Sequence, residues 1–255
     1  MWQAFLDWLI DANNPSLPKS EYLYGTRHLI VIGLVIFLTI LVFLIFKNKS
    51  QKTKRIFFII CASIFLFFEI AFRVRELCTE TLDVTRVFKI LLPLHFCSVT
   101  VWFIMLSILL NNKFMINVAP ILGILATGIY LGYPAVGLNK TYINFPEFYS
   151  VASHSLGFVV SFSIITLKYS IFDIKKIWQP YLVIALIIGY GALINFVVFP
   201  GSDYMYMVND PIGFNTAVPY QVILLAILIV YVFIFYIPSL ITTTKNKRKL
   251  NKNFT

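Results

Sequence analysis

LLPLHFCSVTVW, residues Leu91–Trp102, lies inside an apolar run, Val87–Leu110, that is long enough to cross a bilayer. The stretch nonetheless gathers Pro93, His95, Cys97 and Ser98 close together. An ionisable side chain is costly in hydrocarbon, so His95 points to function and to an inward-facing position. The other spans are then asked what they set opposite His95 and Cys97.

The totals agree with a membrane protein. Of 255 residues, 59% are hydrophobic and 13% charged, and the mean hydropathy is +0.84. A soluble domain is far less apolar than this. The apolar residues come in blocks of about 20, the bilayer-spanning length. In a soluble chain the net charge of +10 would suggest nucleic acid. Here the basic residues sit mainly in loops and at the C-terminus, so they report orientation and no nucleic-acid partner is expected. Three cysteines, Cys61, Cys78 and Cys97, are an odd number with two of them in spans, which does not suggest a disulfide framework.

Taken in order, Met1–Asp11 is a short amphipathic stretch suited to an interfacial helix, and its acids do not fit a cleavable signal. Seven spans follow: His28–Phe46, Ile56–Phe72, Val87–Leu110, Phe114–Leu131, Phe148–Leu167, Ile177–Phe199 and Val218–Ile241. The basic loops at Lys47–Arg55, Lys113 and Lys168–Lys176, with the tail Lys245–Lys252, all fall on one side. Positive charge is held inside, so the N-terminus is expected outside and the C-terminus in the cytoplasm. The expectation is an all-α, multi-pass protein of the cell membrane. It has one polytopic domain, residues 1–244, and a basic cytoplasmic tail, residues 245–255. No small-xxx-small motif dominates a span, so the sequence sets no oligomeric state.

Depth along the helices, at about 1.5 Å per residue, brings the polar residues into one outer layer. Glu69 falls ~5 Å from the outer end of span two, His95 ~12 Å into span three, His154 ~9 Å into span five and Asn195 ~6 Å from the end of span six. Thr127 and Tyr130 lie near the outer end of span four, whereas the inner halves are nearly pure Ile, Leu, Val and Phe. His28, at the outer start of span one, either caps the helix or rims the pocket, and the interfacial reading is favoured. On a regular helix His95 shares a face with Ser98 and Trp102, while Cys97 falls on another. A kink at Pro93 would change that. Glu69, Arg73 and Glu76 follow i, i+4, i+7 spacing. They form either an ion pair that ends the helix or a carboxylate that orients His95 or His154. In the loop Pro200–Thr216, Asp203, Tyr204, Tyr206 and Asp210 belong either to an interfacial tyrosine belt or to a lid whose acids reach a polar headgroup.

Pro93-Leu94-His95-Phe96-Cys97, the later His154, and Asp203-Tyr204-Met205-Tyr206-Met207 followed by Pro211 resemble the YwaF-type bacterial integral membrane proteins. In that family a PLHxC-like stretch, a later histidine and an NYM-like motif followed by a proline recur in this order; Asp203 stands where asparagine is commoner. The resemblance extends distantly to eukaryotic multi-pass acyltransferases that remodel ether phospholipids and to androgen-regulated hydrolases of fatty-acid esters. Those enzymes are similar in placing a nucleophile and a histidine within the membrane. By that analogy His154 is the histidine and Cys97 the candidate nucleophile.

Two functions are open. One is acyl transfer or ester hydrolysis on a membrane lipid. His95, Cys97 and His154 would be its catalytic residues, and Glu69, Arg73, Asn195, Asp203 and Tyr204 would line the substrate site. The other is a non-enzymatic seven-helix binding protein or transporter for a small solute or lipid headgroup. The apolar inner halves disfavour conduction through the whole bilayer. A zinc site from His95, His154 and Glu69 lacks any dense motif such as HExxH, so no metal and no other cofactor is expected. Membrane lipids are the expected partners.

Overall fold

The computed structural model describes residues 8–9, 14–79, 83–133, 138–209 and 219–252, with side chains as far as residue 241. Nearly all of these residues are helical and no strand forms among them; a lone antiparallel bridge joins Ser16 to Lys140. Six helices are long and apolar enough to cross a membrane, and a seventh crossing results if one bent pair counts as a span. The interfacial helix expected at Met1–Asp11 lies outside the described residues except for Trp8 and Leu9, as do Glu80, Asp210, Pro211 and the side chains of the basic tail.

The chain divides into two compact units, Met1–Tyr169 and Ser170–Thr255. The first holds a one-turn helix α1 (Lys19–Tyr22), then α2 (Thr26–Phe46), α3 (Gln51–Thr79), α4 (Val84–Leu91), α5 (Phe96–Leu109), α6 (Lys113–Gly132) and α7 (Phe145–Thr166). Asn112 caps α6 by accepting from the Met115 N–H. Asn144 caps α7 in the same way from Glu147, with Pro146 in the first turn. Such caps satisfy amides that have no helical partner.

Two spans differ from their sequence reading. The third is not one helix: α4 and α5 meet at 56° across residues 92–95. Pro93 disfavours helical backbone at Leu92, which is extended at φ −79°, ψ 142°. The helix restarts only at Phe96, with His95 as its extended N-cap residue. The second span runs on to Thr79, seven residues beyond Phe72, because Arg73 pairs with Glu69 one turn back instead of ending the helix. Glu69 therefore sits about 15 Å from the helix end, not ~5 Å.

The core of this unit lies between α3, α5 and α7, where Phe58, Phe65, Ile104, Ile108, Val160 and Ile164 are fully buried or nearly so. Helices α6 and α7 approach through a reciprocal seam. A Cβ on Gly157 would come within 2.7 Å of Thr127 Cγ2, and one on Gly123 would overlap Ser161 Oγ. Each glycine lies four residues before the small residue its counterpart meets, so Gly123/Thr127 and Gly157/Ser161 form antiparallel small-xxx-small faces. At the opposite margin the Lys54 ammonium, itself buried, donates to the Leu167 carbonyl at 2.9 Å, where α7 ends.

The second unit contains a 3₁₀ turn at Ile174–Lys176, α8 (Trp178–Leu193) running into a π-turn at Ile194–Val198, a 3₁₀ turn at Tyr204–Tyr206, and α9 (Tyr220–Lys252). Helix α9 continues through the basic stretch read as a tail. Tyr181 Oη donates to the Ile229 carbonyl at 2.9 Å, joining α8 to α9.

Candidate functional site

In the first unit, alternation of the helices brings the start of α2, the C-terminal half of α3, the start of α5, the end of α6 and the start of α7 to one end. Polar side chains meet there. His154 on α7 stacks on the Tyr130 ring of α6, with centroids 3.7 Å apart and planes 13° apart. Its Nδ1 lies 2.6 Å from the Ser150 carbonyl. A carbonyl only accepts, so Nδ1 carries the proton. In the neutral ring Nε2 is then the unprotonated nitrogen, and among the described residues it makes no hydrogen bond. The Ser150 hydroxyl donates in turn to Tyr130 Oη at 3.4 Å.

Cys97, in the first turn of α5, directs its thiol to the Ala126 carbonyl on α6 at 3.6 Å. Ala126 is one turn before Tyr130, so Cys97 and His154 both address the same segment of α6. They are not hydrogen-bonded to each other: each is engaged with a backbone carbonyl. The break at residues 92–95 removes the helical-phase objection to their cooperation, because His95 and Cys97 no longer belong to one regular helix. His95 itself is exposed at the elbow. The ring partner of His154 is Tyr130, not His95.

Glu69 is almost completely buried, with its side chain 1% exposed. Its carboxylate accepts from Arg73 on its own helix and from Tyr149 Oη on α7. Both carboxylate oxygens are thus held by partners other than His154. Phe72 stacks on Tyr149 at 4.3 Å and 12°, which fixes the ring that carries this hydroxyl. Tyr149 did not stand out in the sequence, although it lies five residues before the singled-out His154. His28, fully buried, bridges α2 to α6: its Nε2 lies 2.6 Å from the Leu131 carbonyl and its Nδ1 accepts the Tyr24 N–H at 3.0 Å. That double engagement makes it a structural tie. Among the described residues no group of three His, Cys, Asp or Glu side chains is placed to hold a metal ion.

The second unit holds Asn195, Asp203 and Tyr204, each within a local lattice. Asn195, 1% exposed, donates through Nδ2 to the Tyr204 carbonyl and accepts the Tyr204 N–H through Oδ1, both at 2.8 Å. The side-chain amide thereby acts as a missing neighbouring peptide. Asp203 accepts from the N–H groups of Val208 at 2.8 Å and Asn209 at 3.0 Å, and from Asn209 Nδ2 at 2.9 Å. Slight burial pulls its carboxyl pKa upward, but these donors outweigh it and hold the pKa below its ordinary value. Met205 and Tyr206 are left-handed, at φ 63° and 52°. Both Met205 and Met207 set their sulfurs against Gly191 of α8, where a Cβ would lie 3.0 and 2.7 Å from them. An added Cβ there would require the flexible thioethers to shift. Tyr220 Oη donates to the Tyr206 carbonyl, tying the start of α9 to the loop.

No curated protein and no solved structure matches this chain. The model of one multi-pass membrane family, described as the TMEM164 family, matches residues 23–238, from just before α2 into α9. With that match covering most of its length, the chain is an integral membrane protein that belongs to the TMEM164 family.

Proposed function

We propose that the polar end of the first unit carries out acyl-group chemistry on a lipid of the cell membrane, with His154 as the base and Cys97 as the nucleophile. The observation that carries this reading is the state of His154. Its Nδ1–H is committed to the Ser150 carbonyl and its ring is locked on Tyr130, so Nε2 is the nitrogen left to take a proton. The resemblance to YwaF-type proteins and their acyl-transferring relatives supports the same assignment.

In the proposed step His154 Nε2 takes the Cys97 thiol proton, after the thiol leaves the Ala126 carbonyl. The sulfur attacks the ester carbonyl carbon, an S–C bond forms, and the C–O bond to the glycerol oxygen breaks. The leaving alkoxide takes the proton back from the imidazolium, releasing a lysolipid. An acceptor hydroxyl or water then attacks the thioester, losing its proton to Nε2, and frees the thiol. The N–H groups of the first turn of α5 receive no side-chain cap from His95 and suit the developing oxyanion. His95, exposed at the elbow, would meet the polar head of the lipid.

The test is His154→Ala in cells, with protein levels matched, read as the acyl profile of lipids and lipoproteins. The expected result is a changed profile. An unchanged one would refute the assignment.

A further inference from the structure

Pro93 explains why α4 and α5 separate, but not what fixes the angle between them. Across residues 92–95 the helical bonds stop at Leu92 N–H to Phe88 and resume with Val99 N–H to His95, and α4 presents Val84, Phe88 and Leu91 outward, 75%, 53% and 48% exposed. Its packing is against α3, and there the Arg73 side chain meets both arms of the bent crossing. Arg73 Nε donates to the carbonyl of Leu91, the last residue of α4, at 3.4 Å. The same guanidinium lies over the Trp102 ring of α5, 5.3 Å from its centroid. Leu91 and Trp102 are the two ends of the segment that contains His95 and Cys97. Arg73 is anchored from behind: Nη1 donates to the Glu69 carbonyl at 3.2 Å and to its carboxylate. That carboxylate also accepts from Tyr149 on α7, five residues before His154.

We propose that Arg73 is a positioning residue whose guanidinium, held between the Leu91 carbonyl and the Trp102 ring and anchored through Glu69 to Tyr149, sets the α4–α5 elbow angle. It thereby sets where His95 and Cys97 stand against α7. The carbonyls of a last helical turn lack intrahelical partners, so a side-chain donor there can hold the helix end. A guanidinium offers donors in several fixed directions and a flat face for an indole, whereas a lysine ammonium is one compact charge. The consequence for His95 and Cys97 rests on the acyl-transfer reading; the elbow geometry does not.

The simpler alternative is that Arg73 only neutralises the buried Glu69 carboxylate. The two are separated by electron–electron distance measurements on the full chain in lipid nanodiscs. Nitroxides are placed at Val84→Cys and Ile129→Cys, both highly exposed, with Cys61, Cys78 and Cys97 replaced by alanine. Helix α4 is about 12 Å long, so complete straightening of the 56° bend would carry its far end about 11 Å. The expected result is a displaced or broadened distance in Arg73→Lys, and again in the charge-balanced Glu69→Gln/Arg73→Ala double variant. The parental distance in either would overturn the proposal, since both variants avoid a lone buried carboxylate. Should the distance move while His154→Ala leaves lipid acyl profiles unchanged, the brace stands and the acyl reading falls.

Discussion

Tyr149→Phe removes one oxygen from the buried network and leaves its packing in place. The Phe72 stack, 4.3 Å between centroids and nearly parallel, survives the change. What is lost is a hydroxyl donor to a carboxylate that is 1% exposed. Water cannot replace it there without opening the α3–α7 contact. Hydrogen bonds to charged groups contribute about 1.5–3 kcal/mol, more than neutral ones. Neutral bonds within membrane bundles average nearer about 0.6 kcal/mol. The Glu69 acceptor places this one in the first class, so Tyr149→Phe is expected to cost about 2 kcal/mol of unfolding free energy. Steric-trap unfolding in bicelles measures it. Repeating the change in a Glu69→Gln background weakens the acceptor, and the cost should then fall below about 1 kcal/mol. An equal cost in both backgrounds, or a loss under about 0.5 kcal/mol in the parent, would show that Glu69 does not take this hydroxyl as a carboxylate.

Other outcomes follow from the geometry. Nitrogen NMR of labelled protein should find neutral His154 protonated at Nδ1 with Nε2 bare; an Nε2–H signal would contradict the Ser150 contact. Gly157→Val should prevent α6 and α7 from closing, since even a single Cβ meets Thr127 at 2.7 Å, and folded yield measures this. Asn195→Ala should raise hydrogen exchange at Tyr204 through loss of its acceptor at 2.8 Å, whereas unchanged protection would show that the loop is held otherwise. Asp203 has a pKa held below the ordinary 3.8, so its contribution to the loop is fully present above that value. Protection of the Val208 and Asn209 amides should accordingly be lost as pH falls through the lowered pKa; loss already at pH 6 would implicate another group.

The crossing helices were legible because hydropathy blocks and basic loops are additive signals along the chain. The ends of α2 and α6 fall within two residues of their expected places. The elbow was half legible: Pro93 marked it, but the restart at Phe96 depends on His95 adopting an extended cap, which no local pattern demanded. Charge misled at Arg73, which resembles a span boundary until its partner Glu69 is seen one turn back. The gathering of His154, Tyr130 and Cys97 near α6 was foreshadowed by shared depth. The tie between Glu69 and Tyr149 was not, because choosing one hydroxyl among several requires helix rotation. The α6–α7 seam escaped notice because each face offers only two small residues and becomes a motif only when the two are laid antiparallel. Asn195, Asp203 and Tyr204 close their own loop with the amide and carboxylate chemistry that ligand-binding groups also use, so sequence alone does not separate the two roles.

The most direct test of acyl chemistry at this end of the first unit is mass spectrometry of the purified chain after incubation with phospholipid in nanodiscs. The account predicts an acyl chain in hydroxylamine-sensitive thioester linkage on Cys97, with lysolipid released, and neither product from His154→Ala. Release of lysolipid at the same rate by the His154→Ala protein, or no acyl adduct and no lysolipid from the parent, would contradict it.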